Sequence, residues 1–197
     1  MPNWCNNNIE IESDKEFTKL LKSVVDEDSN VENFFLKTLH IDNSGDDDWY
    51  NANIRQIGCK WDVISNVFFE ENDKILLSFD SPWSPPIAGI KALAIEYKLS
   101  LKFDYEECGC EYIGRGSIDK LGYDSEETWE GRQYLKGHYI INGIGHIYDI
   151  LDCLEPDDLY DFVKKYADDL SFDDFTKLQH AIHNEQDSIV IELLKLD

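Results

Sequence analysis

Basic side chains are scarce: 18 Lys plus Arg stand against 41 Asp plus Glu, a formal net charge of −23 on 197 residues. That balance argues against binding to bare nucleic acid or to an anionic membrane, because each phosphate contact needs a cation to release counterions. A positively charged protein is the natural complement. The chain also lacks any run of about 18 consecutive apolar residues, which excludes a membrane-spanning helix. Its first residues, Met1-Pro2-Asn3-Trp4, have neither the basic start nor the apolar run of a signal peptide, so a cytoplasmic protein is expected. Cysteine is sparse and odd in number: Cys5, Cys59, Cys108, Cys110 and Cys153 are widely scattered, which fits reduced thiols better than a disulfide framework.

What is present excludes disorder. With 42% hydrophobic residues the chain can bury a real core, in one domain or one domain plus an appendage. Three tryptophans sit in short clusters of small and turn-forming residues: Pro2-Asn3-Trp4-Cys5-Asn6, Gly58-Cys59-Lys60-Trp61-Asp62 and Ser81-Pro82-Trp83-Ser84-Pro85-Pro86.

Alternation over Asn7 to Glu12 predicts a first strand. Ser13, with Glu16 at capping-box spacing, predicts a helix whose apolar face is Phe17, Leu20, Leu21, Val24 and Val25, ending near Asp26 to Asn30. Val31 to Ile41 is ambiguous, and Asn43 to Asp48 reads as an acidic loop. Tyr50 to Trp61 alternates again. Val63 to Glu70 and Lys74 to Phe79 read as a hairpin around Glu71-Asn72-Asp73. Pro85-Pro86 opens a second helix with Ile87, Ile90, Leu93, Ala94 and Tyr97 on one stripe. Leu99, Leu101, Phe103 and Tyr105 alternate on a following strand. Strand, helix, strands, helix, strand is the split βαβ order of a ferredoxin-like α+β sandwich, an antiparallel sheet with helices on one face.

The blocks Pro2-Asn3-Trp4-Cys5-Asn6, Gly58-Cys59-Lys60-Trp61-Asp62, Trp83-Ser84-Pro85-Pro86 and Tyr105-Glu106-Glu107 to Gly114 resemble, in order, the YubB-type family carried by phages and plasmids, over about residues 1–120. The resemblance implies a ferredoxin-like topology without an iron–sulfur cluster and a mobile-element origin; it brings no activity and no cofactor. Cys59 departs from that family, where a small or hydroxyl residue is more usual.

Beyond the core blocks the chain reads as an addition, giving a division into residues 1–116 and a mainly helical, acidic extension over 117–197. Residues 117–149 mix aromatics and glycines without a helical period, so short strands or loops are expected there. After Glu155-Pro156, the spacing of Leu159, Phe162, Val163 and Tyr166 predicts an amphipathic helix. Ser171 with Asp174 caps another, carrying Phe172, Phe175, Leu178 and Ile182, and Ile189 to Leu196 is apolar enough to dock. More than half of the net negative charge falls after residue 115.

Several chemical readings are weak on inspection. Cys108-Gly109-Cys110 with Cys5, Cys59, His138 or His146 offers zinc-type ligands but no knuckle spacing. Cys5 or Cys110 with His138 would be a hydrolase pair without a motif, and Glu106 and Glu107, adjacent on a strand, point to opposite faces. Gly109 to Gly116 lacks the Gly-Lys-Ser/Thr ending of a phosphate loop and contains Glu111. His180 and His183 share a helix face without a third ligand. No metal, cofactor or catalytic residue is expected.

Two surfaces remain. Asp46, Asp47, Asp48 and Trp49, with Glu155, Asp157, Asp158, Asp161, Asp168, Asp169, Asp173 and Asp174, form a candidate acidic face in which rings anchor and carboxylates steer a basic partner. Tyr50, Trp129 and Tyr134 also border acidic stretches. Asn3, Trp4, Lys60, Trp61, Asp62 and Trp83 either pack the sheet against its helices or line a pocket for a planar ligand. An anionic nucleotide there would find few cations beyond Arg55, Lys60 and Arg115. The expectation is a non-enzymatic accessory protein whose carboxylates imitate phosphates and block a basic, nucleic-acid-binding host protein, such as a CRISPR-type defence effector. The alternative is a small-ligand or nucleotide-sequestering protein.

Overall fold

The computed structural model describes residues 3–12, 15–42, 48–70, 74–122, 124–152, 154, 156–167 and 169–196, without the side chains of Asp152, Pro156, Asp157 and Phe172. Strict alternation makes β1 (Trp4–Glu12) the centre of the sheet: Cys5, Asn7, Ile9 and Ile11 are buried and the residues between them face outward. β1 pairs antiparallel with β4 (Lys74–Pro82) on one side and β5 (Ser100–Glu107) on the other. β4 pairs with β3 (Ser65–Phe69), and β3 with the two-residue β2 (Asn30–Val31). β6 (Tyr112–Ile118) and β7 (Asp124–Glu130) extend the sheet beyond β5, giving the order β2-β3-β4-β1-β5-β6-β7. The inner four strands, β3-β4-β1-β5, have the ferredoxin-like order.

Helices α1 (Lys15–Val24) and α4 (Ile87–Glu96) bury Phe17, Leu21, Ile90, Leu93 and Ala94. Phe17 meets Tyr97 at 5.0 Å between ring centres. Ser13 of the expected capping box lies outside the described residues. The ambiguous segment holds α2 (Phe34–Thr38), whose Phe34 and Phe35 pack against Phe79 of β4 at 6.4 and 5.9 Å. Tyr50 to Trp61 is not a strand: α3 (Trp49–Gln56) occupies it. The alternating apolar residues were misleading because Tyr50 and Ile54 are exposed, whereas Ala52, Asn53 and Ile57 bury at helical spacing.

Two glycines on β6 explain part of the Gly109–Gly116 stretch. Phe103 and Tyr105 stack at 6.3 Å, and a Cβ on Gly114 or Gly116 would stand 2.3 or 2.4 Å from their ring atoms. Only bare backbone admits rings that close.

Residues 1–109 and 114–127 form one compact unit; residues 110–113 and 128–197 form a second. The expected boundary at 116/117 falls within β6. The second unit contains α5 (Tyr134–Asn142), α6 (Ile144–Asp152), α7 (Pro156–Tyr166), α8 (Phe172–His183) and α9 (Asp187–Leu194). Its own core gathers Ile147, Leu151, Val163, Leu178, Val190 and Leu194. α5 and α6 correct the expectation of strands or loops up to residue 149. Gly137 hid the helical period of α5, and a Cβ there would lie 2.4 Å from Ile113, so close packing excludes a side chain. α8 begins with the expected capping box: Ser171 Oγ accepts from Asp174 N, and the Asp174 carboxylate accepts from Ser171 N. Among the described residues no helix is long and apolar enough to cross a membrane.

Candidate functional site

The loop after α3 is pinned from inside. Gly58 turns it with φ +94°, a conformation suited to glycine, and Gly89 N donates to Ile57 O at 2.8 Å. Asn53 Nδ2 donates to Lys60 O at 3.0 Å, and the buried Cys59 thiol to Trp61 O at 2.9 Å. Burial, reinforced by nearby Asp62, pushes that thiol up to about 12.

Asp62 itself serves α2. Its carboxylate accepts from Phe35 N at 3.0 Å, Leu36 N at 2.7 Å and Val63 N at 2.7 Å, while Phe34 N donates to Val63 O at 3.0 Å. Asn33, left-handed with φ +52°, offers no side-chain cap, so Asp62 closes this helix start from across the fold. Burial raises the Asp62 pKa above its ordinary value despite those three bonds.

A second pinned turn carries Trp83. This residue has φ +66°, and its N–H donates to Asn3 O at 2.9 Å. Beneath it, buried Asn7 donates through Nδ2 to Cys5 O at 2.7 Å and Ser81 Oγ at 2.9 Å, and Ser81 Oγ donates to Ser84 O at 2.7 Å. Polar groups that could have been core positions are used to fix a turn.

These two loops present their rings outward. Trp61 and Trp83 stack at 5.8 Å with 22° between their planes, yet remain 38% and 49% exposed. Lys60 Nζ lies 4.4 Å from the centre of Trp61 and 5.6 Å from that of Tyr50, and Tyr50 meets Trp49 edge-on at 6.1 Å. Trp49, Tyr50, Lys60, Trp61 and Trp83 therefore form one chain of contacts, joining Trp49 of the acidic candidates to three residues of the pocket candidates. None of Trp4, Trp61 and Trp83 belongs to the buried core. Because Trp61 and Trp83 close on each other, no slot for a third ring lies between them. Trp4, 54% exposed, stands apart from the stack and lines an open groove of about 410 Å³ with Asn6, Ile64, Asn66, Ser78 and Asp80.

The acidic candidates separate. Asp48, exposed, accepts from Asn51 at 2.5 Å and faces Arg55 at 3.8 Å in the first unit. In the second unit Asp158, Asp161 and Asp173 are exposed, and among the described residues no lysine or arginine pairs with them. Asp169 pairs with Lys195 at 2.5 Å and Asp174 holds the α8 cap; these partners lower both pKa values. Asp46, Asp47, Glu155 and Asp168, and the side chain of Asp157, lie outside the described residues. Trp129 is half-buried and Tyr134 buried in the second unit's core, so neither is a surface anchor.

Cys5 and Cys59 are buried while Cys108 and Cys110 are exposed; Cys153 lies outside the described residues. In the second unit His138 meets Tyr134 edge-on at 4.5 Å and lies tilted against His146 at 5.0 Å. Glu107 is buried, with Oε1 accepting from Gly109 N at 3.0 Å, whereas Glu106 accepts from the exposed Cys108 thiol at 3.2 Å on the other face. Among the described residues no group of three or more His, Cys, Asp or Glu is placed to hold a metal. Sequence reasoning missed the groove residues Asn6, Ile64, Asn66, Ser78 and Asp80; the period-two pattern of β1 was the available signal.

A family model described as the ferredoxin-like domain in Api92-like protein matches residues 60–134. Among solved structures, the crystal structure of the protein api92 from Yersinia pseudotuberculosis is similar at 11% identity and a TM-score of 0.46, over 64% of this chain and 98% of that one. Comparison with curated proteins gives no match.

Proposed function

We propose that the chain is a non-enzymatic binding protein that docks on a basic protein, with the aromatic ridge as anchor and the chain's excess of carboxylates as steering charge. The observation that supports this most is the Trp61–Trp83 stack, half-exposed on loops held by buried polar bonds, in a chain of net charge −23. Exposed rings on a rigid backbone lose little entropy on docking and bury much apolar area. The acid excess favours an Arg/Lys-rich partner and raises its rate of encounter.

The partner class this favours is a nucleic-acid-binding protein whose groove the carboxylates occupy in place of phosphates. The resemblance to a phage- and plasmid-borne family makes a host defence effector the natural instance. The test is capture of partners from host lysate with tagged protein at low and high salt. A basic protein retained at low salt, released at high salt and lost about thirtyfold or more by Trp61→Ala with Trp83→Ala is the expected result. Capture indifferent to both salt and these substitutions would refute the reading.

A further inference from the structure

We infer that the groove beside Trp4 is a receptor for one arginine side chain of a basic partner. This inference rests on the binding function proposed above and assigns it a definite contact. The groove lies on the exposed face of β1, where β1 and β4 place Asn6 across from Asp80 and Trp4 across from Pro82, and β3 and β4 place Asn66 across from Ser78. At about 410 Å³ it is within the range of roughly 300–1,000 Å³ of small-ligand sites.

Its chemistry selects a flat cation. Asp80 accepts from Asn6 Nδ2 at 3.3 Å, a long bond, and among the described residues no lysine or arginine pairs with it. Among the described residues Asn6 Oδ1 receives a single, 3.5 Å contact from Asn8 Nδ2, so it too can accept from an incoming donor. The Trp4 ring, more than half exposed, offers a face on which a guanidinium stacks. Ile64, exposed at the groove wall, can cover the methylenes of an arginine stem. The residues lining the groove include no cation, so an anion would meet a carboxylate without compensation. A lysine ammonium satisfies the charge but neither stacks nor donates along two parallel directions.

The test uses the full chain and the peptide acetyl-Gly-Arg-Gly-amide, followed by the indole N–H resonance of Trp4 in a two-dimensional nitrogen–proton NMR titration. Matched peptides carrying lysine or the neutral isostere citrulline, and free adenosine, are titrated alongside. A saturable shift with the arginine peptide that is at least about tenfold weaker in Asp80→Asn and for the citrulline peptide supports the site. An unmoved Trp4 signal, or equal binding by citrulline, overturns it; so does a response to adenosine that Asp80→Asn leaves intact, which would make the groove a stacking site for planar ligands. Capture of a basic protein that survives Trp4→Ala and Asp80→Asn would refute the arginine receptor while leaving the proposed function standing. A failed capture with a positive titration would do the reverse.

Discussion

Replacing Asp62 by alanine should destabilise the first unit by about 3 kcal/mol, because three N–H groups lose one acceptor. Phe35 N, Leu36 N and Val63 N converge on this carboxylate at 2.7–3.0 Å, and Phe34, Phe35 and Val63 are buried. A buried donor left without a partner costs about 1–3 kcal/mol, and water that reaches the exposed side of the loop offsets part of the total. Asp62→Asn keeps one acceptor oxygen and should lose about 1 kcal/mol. The assay is urea unfolding followed by tryptophan fluorescence, which reports mainly this unit because Trp4, Trp49, Trp61 and Trp83 belong to it and Trp129 to the other.

A pH series adds a second readout. Folding raises the Asp62 pKa above its ordinary value of 3.8 through burial, so the native state holds the proton more tightly than the unfolded chain. Its contribution is therefore fully present below 3.8 and is lost as pH rises through the folded value. Asp62→Asn does not titrate, so the advantage of the natural chain over this variant should grow on acidification from pH 7 toward pH 4. A loss below about 0.5 kcal/mol in Asp62→Ala would refute the capping role. An advantage that shrinks on acidification would refute the dominance of burial over the three hydrogen bonds.

Iodoacetamide at pH 8 should alkylate exposed Cys108 and Cys110 and spare buried Cys5 and Cys59, the latter held protonated by a pKa of about 12; peptide mapping that finds Cys59 modified at a comparable rate in the native chain contradicts this. Gly114→Ala should lower stability by about 1–3 kcal/mol because its methyl would stand 2.3 Å from the Tyr105 ring, whereas Gly145→Ala, with nothing within 4 Å of the added atom, should be neutral or slightly stabilising. Thermal melts of the two variants that coincide would show that the Tyr105 ring moves aside freely.

The inner sheet was legible because its signal is local. Ile9 and Ile11, Leu101 and Phe103, and Ile75, Leu77 and Phe79 alternate over enough residues to define both strand and buried face. α4, α7 and α8 announce themselves by helical stripes and, for α8, by the Ser171–Asp174 box. The failures have physical causes. In α3 the large apolar residues Trp49, Tyr50 and Ile54 point to solvent while Ala52 and Asn53 are buried, so hydrophobicity reported the wrong face. In α5 a glycine forced by close approach interrupts the period that would reveal the helix. The partner that caps α2 lies 27 residues from Phe35, and no local pattern connects them.

The site was legible in composition but not in arrangement, and the reason lies in how its polar groups are used. A tryptophan among glycines and prolines can be a wedge in the core or a ring at a loop tip, and spacing alone does not separate the two. The distinguishing residues are the small polar ones nearby. Asn7, Asn53 and Ser81 sit in or beside the core, where an apolar side chain would bury area without a desolvation cost, and each gives hydrogen bonds to the backbone of a loop bearing Trp61 or Trp83 or to the strands that flank it. Anchoring of this kind fixes the loop backbone, while the two rings keep two-fifths to one-half of their surface in water. The fold thus commits buried polar groups to holding apolar rings at the surface, an arrangement that would lower the entropy cost of the docking proposed above.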